Sequence, residues 1–295
     1  MAFTLKGSIV AIVTPFLESC EIDWNSFDKL IDFHLENKTD GIVVCGTTGE
    51  TPTLTNEEDE ALIARTVAKV NGKVPVIAGS GSNCTKTAIE KTKKAKELGA
   101  DAALVVVPYY NKPTQKGMYN HYKAVAESVD IPIVLYNVPS RTGAGLTTDT
   151  VLKLANDFEN IVGVKEAAGI MTNFTEVIAN APEDFLVYSG DDFLASSANL
   201  LGADGCISVI ANIIPEDFHK LMKVSLDGDA KTTRELFYKY NKLMDLCFIE
   251  SNPIPVKAAL AEMGYMKEVY RQPLCSMASD TKKLLIDEMK ALKII

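Results

Sequence analysis

The chain has 295 residues, of which 47% are hydrophobic and 23% charged, and its formal net charge is -9. That acidic balance excludes the dense Lys and Arg surface on which nucleic-acid binding relies, and no apolar run approaches the ~18 residues of a membrane span. The length fits either two small domains or one α/β barrel of about 250 residues carrying an appendage.

The opening MAFTLKGSIVAIVTPF has Lys6 as its only early cation, and Pro15 closes its apolar stretch. It therefore reads as a first strand rather than a secretory signal, and the expected location is the cytoplasm. Cysteines at 20, 45, 84, 206, 247 and 275 form no C-x-x-C pair, so isolated reduced thiols are expected. His34, His121 and His219 stand in no metal-ligand spacing, and no metal is expected.

Apolar, β-branched runs recur at SIVAIVTP (8 to 15), GIVVCG (41 to 46), VPVIAG (74 to 79) and DAALVVV (101 to 107). IPIVLYN (131 to 137), NIVGVK (160 to 165), FLVYSG (185 to 190) and DGCISVI (204 to 210) bring the count to eight. They are apolar on both faces, as parallel strands covered by helices should be, and repeat every 19 to 33 residues, the period of a βα unit. The reading is a TIM (β/α)8 barrel, with a doubly wound open sheet as the structural alternative.

Helix signals fill the gaps. Asp23 opens WNSFDKLIDFHLEN, and Thr55 with Glu58 forms a T-x-x-E capping box. Thr85 opens TKTAIEKTKKAKEL, which stops before Gly99, and the lysines of that segment read as a solvated helix face. GSGSN at 79 to 83 lacks the third glycine of a dinucleotide fingerprint and reads as a turn. Pro215 starts a further helix, and no ninth strand follows it. The division expected is a barrel over 1–224 and a C-terminal helical domain over 225–295, interrupted at Asn252-Pro253-Ile254-Pro255 and at Gln272-Pro273.

In such a barrel the active site lies at the C-terminal strand ends. Those ends carry Gly46-Thr47-Thr48-Gly49-Glu50, Pro108-Tyr109-Tyr110-Asn111, Tyr136-Asn137-Val138-Pro139-Ser140-Arg141, Lys165-Glu166, Ser189-Gly190-Asp191-Asp192 and Ile207-Ser208. The set is rich in hydroxyls, with one amine and one guanidinium. Hydroxyls and loop N–H groups hold a carboxylate, tyrosines relay protons, and Arg clamps a carboxylate bidentately. Lys165 closes the buried run NIVGVK, and its neutral amine is the form that attacks carbonyls to make a Schiff base. Taken singly, each residue has a plainer use: a snorkelling lysine, a strand-to-helix turn at GTTGE, packed tyrosines, a surface arginine, and Asp191-Asp192 as a helix cap.

GTTGE, VPYYNKPTQKG, LYNVPSRTG and GVKEAAG, in that order on four strand ends, closely resemble the 4-hydroxy-tetrahydrodipicolinate (dihydrodipicolinate) synthase family, across almost the whole chain. The wider superfamily of pyruvate-dependent class I lyases, including N-acetylneuraminate lyase and 2-keto-3-deoxygluconate aldolase, shares the strand-two motif, the strand-five Tyr and the Lys. The Arg of PSRTG points to the synthase. The resemblance implies condensation of pyruvate with L-aspartate 4-semialdehyde on the diaminopimelate route to lysine, with no cofactor beyond the pyruvate imine on the lysine. It implies that Lys165 forms the imine, that Tyr136 shuttles protons with Thr47 and Tyr110, and that Tyr110 reaches a neighbouring subunit. It further assigns Thr48 to the pyruvate carboxylate, Arg141 to the semialdehyde carboxylate, and Gly190 and Ile207 to backbone lining. A homo-oligomer is implied, usually a tetramer of two tight dimers. Asn83 and Tyr109 match positions of an allosteric lysine pocket, but Asn56, Asp59 and Thr87 replace the His, His and Glu of sensitive enzymes, so weak or absent lysine inhibition is expected. The other readings are a sugar-acid aldolase sharing the imine, and a keto-acid-binding sensor without turnover.

Overall fold

The computed structural model describes residues 3–295. Eight parallel strands, β1 (Gly7–Ala11), β2 (Gly41–Val44), β3 (Val76–Gly79), β4 (Ala102–Val106), β5 (Ile133–Asn137), β6 (Ile161–Glu166), β7 (Leu186–Ser189) and β8 (Gly205–Ser208), follow one another around a closed barrel. Closure comes from β1 pairing with β8, Ser8 opposite Cys206 and Ile9 opposite Ile207. The open-sheet alternative is thereby set aside, because every strand has two neighbours and no edge is left.

The covering helices are α1 (Trp24–Glu36), α2 (Asn56–Val70), α3 (Thr85–Glu97), α4 (Gln115–Ser128), the single turn α5 (Pro139–Thr142), α6 (Thr148–Asp157), α7 (Met171–Asn180), α8 (Asp192–Leu200) and α9 (Pro215–Leu226). Their starts follow the sequence chemistry. Asp23 accepts from the Ser26 N–H at 3.1 Å, and Thr55 and Glu58 cap one another reciprocally at 3.2 and 3.0 Å. Three further helices, α10 (Ala230–Leu246), α11 (Ile254–Glu262) and α12 (Ser279–Ala291), come after the last barrel helix. No helix of the described residues is long and apolar enough to cross a membrane.

The period of two along each strand sorts its side chains. In β5, Val134 and Tyr136 join Ile9, Val43, Ile77 and Leu104 inside the barrel, whereas Ile133 and Leu135 pack outward among the helices. The interior is thus a packed core whose uppermost layer can only be reached from the C-terminal mouth. All six cysteines are free thiols, with Cys45, Cys206 and Cys247 buried.

Candidate active site

The register between β5 and β6 sets one wall of the mouth. Tyr136 stands opposite Lys165 and Asn137 opposite Glu166, so consecutive pairs face alternately inward and outward. Inside, Lys165 Nζ lies 4.3 Å from the centroid of the Tyr136 ring, and Lys165 is only 7% exposed. Gly190, just past β7, makes room for that lysine. A Cβ there would stand 2.8 Å from Lys165 Cε and 2.7 Å from Ala167 Cβ, closer than real Cβ atoms come.

Outside, Asn137 Nδ2 donates to Glu166 Oε2 at 2.9 Å, and the Ala168 N–H donates to Glu166 Oε1 at 2.7 Å. Burial pushes the Glu166 carboxyl up from its ordinary range, against these hydrogen bonds, which favour the ionised form. The same Asn137 side chain accepts from the Leu146 N–H at 2.9 Å and donates to the Leu146 carbonyl at 3.2 Å. It straps down the loop that contains α5, which carries Arg141 and ends at Gly143 in the left-handed region, φ 72°.

The opposite wall is the turn after β2. Thr47 and Thr48 lie on a 3-10 turn (Thr47–Gly49), after which Glu50 takes a left-handed conformation at φ 57° with its side chain buried. The Thr14 hydroxyl donates to the Gly49 carbonyl at 2.7 Å. Inside the protein the Glu50 carboxylate is paired with Lys257 of α11, and both side chains are 0% exposed. The Lys257 nitrogen also stands 4.4 Å from the Phe16 ring centroid. Desolvation lowers the Lys257 pKa to about 8, and Glu50 works against that shift. Arg271 completes the anchor: its backbone N–H donates to Glu50 Oε2 at 3.2 Å, and its guanidinium donates to Glu58 Oε2 at 2.6 Å and to the Thr53 carbonyl at 2.9 Å. Asn252, ahead of α11, donates from Nδ2 to Thr48 Oγ1 at 3.0 Å, and its carbonyl accepts from Arg141 Nη2 at 3.1 Å.

Between these walls lies a cavity of about 490 Å³ lined by Thr47, Thr48, Tyr136, Arg141, Lys165 and Gly190, together with Asn252. Six of the eight candidate catalytic and substrate residues therefore meet in one space, and two lie elsewhere. The Ile207 side chain is fully buried in the barrel interior, which leaves untouched the backbone role that the resemblance implies for it. Tyr110 is 88% exposed, in the left-handed region at φ 71°, with its ring on the outer surface. Asp191 caps α8, accepting from the Phe193 N–H at 2.9 Å. Asp192 is buried and accepts from the Val209 and Ile210 N–H groups at 3.1 and 2.8 Å, which fixes the turn after β8.

A second cavity, about 230 Å³, is lined by Asn56, Asp59, Thr87 and Lys91 on the outer side of the barrel wall. Lys91 pairs with Asp59 there at 2.6 Å, while burial raises the Asp59 carboxyl. Asn83 and Tyr109 lie outside this cavity, and the Asn83 carbonyl accepts from Asn111 Nδ2 at 2.9 Å.

Asn252, Lys257 and Arg271 are the site residues that sequence reasoning missed. The available signal was the segment IPVKAAL, which is apolar on every face except for one lysine and is wholly buried. A helix apolar all round belongs in a core, and a lysine within it requires a buried anion.

Chemically, an amine beside a phenol can form an imine with proton transfer at hand, and paired hydroxyls and a guanidinium can hold two carboxylates. The sequence profile of the Dihydrodipicolinate synthetase family matches residues 4–292. The chain is 50% identical, over 98% of its length and 99% of its relative's, to the 4-hydroxy-tetrahydrodipicolinate synthase of Thermodesulfovibrio yellowstonii. It is 48% identical to that of Aquifex aeolicus over 97% of both chains. Among solved structures, the chloride-inhibited dihydrodipicolinate synthase from Acinetobacter baumannii, complexed with pyruvate, superposes with a TM-score of 0.97 at 48% identity, covering 99% of this chain and 100% of that one.

Proposed function

The chain belongs to the dihydrodipicolinate synthetase family, and from that premise we propose that it condenses pyruvate with L-aspartate 4-semialdehyde to give 4-hydroxy-tetrahydrodipicolinate, in the diaminopimelate route to lysine. The observation that carries this reading is the single cavity in which Lys165, Tyr136, Thr47, Thr48 and Arg141 converge.

Lys165 Nζ attacks the C2 carbonyl of pyruvate, whose oxygen departs as water, leaving an imine. Loss of a methyl proton turns the imine into an enamine. Its carbon attacks the aldehyde of the second substrate, a C–C bond forms, and the aldehyde oxygen takes up a proton to become a hydroxyl. The amino group of that substrate then adds to the imine carbon, the Lys165 amine leaves, and the ring closes. No metal or organic cofactor takes part in this scheme.

Tyr136 moves the protons, a role supported by the nearness of its ring to the Lys165 nitrogen. Thr47 passes protons onward to Tyr110 of a second copy of the chain, a role that fits the 88% exposure of Tyr110 on the single chain. Thr48 binds the pyruvate carboxylate, and Arg141 binds that of the semialdehyde. The assembly is a homo-oligomer, a tetramer built from two tight dimers, acting in the cytoplasm.

Borohydride reduction with and without pyruvate, followed by peptide mass mapping, tests this on protein whose sedimentation is recorded at the same concentration. The expected result is a pyruvate-dependent adduct on Lys165, lost in Lys165→Met, in a particle larger than one chain. Folded protein that yields no adduct would sink the imine reading. A fully active monomer would remove Tyr110 from it.

A further inference from the structure

The ion pair between Glu50 and Lys257 is set in apolar surroundings. Both side chains are wholly buried, α11 is buried from Ile254 to Leu260, and the Lys257 nitrogen stands 4.4 and 5.1 Å from the ring centroids of Phe16 and Tyr270. Withdrawing two charges from water opposes folding about as strongly as their attraction favours it, so neutral side chains of similar size would serve the fold as well. Stability alone does not account for charges in such a place.

What the charges add is direction. Glu50 closes the 3-10 turn that carries Thr47 and Thr48: its N–H donates to the Thr47 carbonyl at 3.1 Å, and its own carbonyl accepts from the Thr53 N–H at 2.9 Å. It does so in the left-handed region, at φ 57°, where a residue with a side chain is strained and stays only if its surroundings hold it. The carboxylate provides that hold. Oε1 accepts from Lys257 Nζ and Oε2 from the Arg271 N–H at 3.2 Å, so both oxygens of a planar group are tied to the helical extension. Thr47 and Thr48 line the active-site cavity, whereas Glu50 and Lys257 do not. Any effect of the pair on the site therefore passes through the threonine turn.

Resting on the proposed reaction, in which Thr48 holds the pyruvate carboxylate, we infer that Glu50 and Lys257 are positioning residues: their ion pair locks the left-handed turn that sets Thr47 and Thr48 for pyruvate, and its charges serve that geometry rather than the stability of the fold. The affinity of the barrel for its keto acid is thereby set from α11, outside the strands. The second substrate, whose carboxylate falls to Arg141 on the other wall, is left largely unaffected.

The test uses the double variant Glu50→Gln with Lys257→Met, in which no charge is stranded. Urea denaturation, KM for each substrate and the pyruvate dependence of borohydride trapping on Lys165 are measured beside wild type. The expected result is an unfolding midpoint close to wild type, with KM for pyruvate and the pyruvate concentration for half-maximal trapping both raised about tenfold, and KM for L-aspartate 4-semialdehyde changed by less than about threefold. A folded variant whose pyruvate KM stays within about twofold of wild type would show that the pair only fills space, and equal rises for both substrates would show a general loosening. Either would overturn the inference. Glu50→Gln alone, which keeps the shape of the side chain, supplies the same comparison if the double variant does not fold. Failure of both to fold would show that the charges are needed for the fold itself, and would overturn the inference as well. Trapping intact in wild type with an unchanged KM in the variant rejects only the positioning role, whereas absent trapping in wild type rejects the reaction and the inference with it.

Discussion

The two walls of the mouth are built by different means. On the β5–β6 side, Tyr136, Lys165 and the Asn137–Glu166 hydrogen bond are set by the register of adjacent strands, so the barrel itself fixes them. On the β2 side, the Thr47–Thr48 turn is held by Asn252, Lys257 and Arg271, residues that come more than 200 positions later. The first wall inherits its precision from a backbone ladder that every barrel possesses. The second depends on a buried ion pair that only the extension can provide. A scaffold of this kind sets Lys165 and Tyr136 by its strand ladder and sets Thr47 and Thr48 by contacts outside the strands.

Removing one partner of the buried pair should break the second wall most severely. Lys257→Ala leaves the Glu50 carboxylate buried and uncompensated, and is expected to cost about 3 to 5 kcal/mol of stability. Glu50→Gln with Lys257→Met should recover most of that loss, since two neutral side chains of similar size carry no stranded charge. Urea denaturation of the three proteins checks it, and a Lys257→Ala variant as stable as wild type would show that the pair anchors nothing.

A smaller effect is expected on the first wall from Gly190→Ala. Its Cβ must displace the Lys165 side chain, from which it would stand 2.8 Å at Cε. The expected outcome is a drop of about tenfold in kcat or more, because misplacement of a reacting group costs rate steeply, with the melting temperature within a few degrees of wild type. Unchanged turnover would mean that the lysine has slack which the strand register does not remove.

The mildest prediction supplies a baseline away from both walls. His34 on α1 and His121 on α4 are buried in the barrel wall, where desolvation lowers their pKa values to about 3 and about 4. In the unfolded chain each protonates near ~6.5. The unfolded state therefore binds more protons below that pH, and stability that is full above it is lost as the pH falls toward the folded pKa values. The slope is on the order of 1 kcal/mol per pH unit for each histidine. His34→Asn should flatten the fall in stability between about pH 6 and pH 4.5 relative to wild type. An unaltered slope would show that His34 is not held neutral.

What the sequence made legible follows the same division. The eight strands announced themselves as apolar runs at a βα period, and the strand-end motifs placed Lys165, Tyr136, Arg141 and the threonines at the mouth, because strand periodicity converts position directly into facing. Asn252, Lys257 and Arg271 were not legible in that way. Nothing local in a helix after a Pro-rich break says which loop it will touch, and contacts such as Asn252 to Thr48 are decided only when the whole chain has packed.

The anchoring of Glu50 by Lys257 also gives this protein a direction in time. During synthesis the strands emerge in order, and Tyr136 and Lys165 can come together as soon as β5 and β6 have both left the ribosome. Glu50, however, must wait for a residue 207 positions downstream, a delay of roughly 10 to 40 s at typical elongation rates. Until then its carboxylate remains in water and the threonine turn is untethered. A nascent chain with all eight strands complete thus still lacks the partner that fixes Glu50 and the threonine turn beside it, and that wall of the mouth waits for α11.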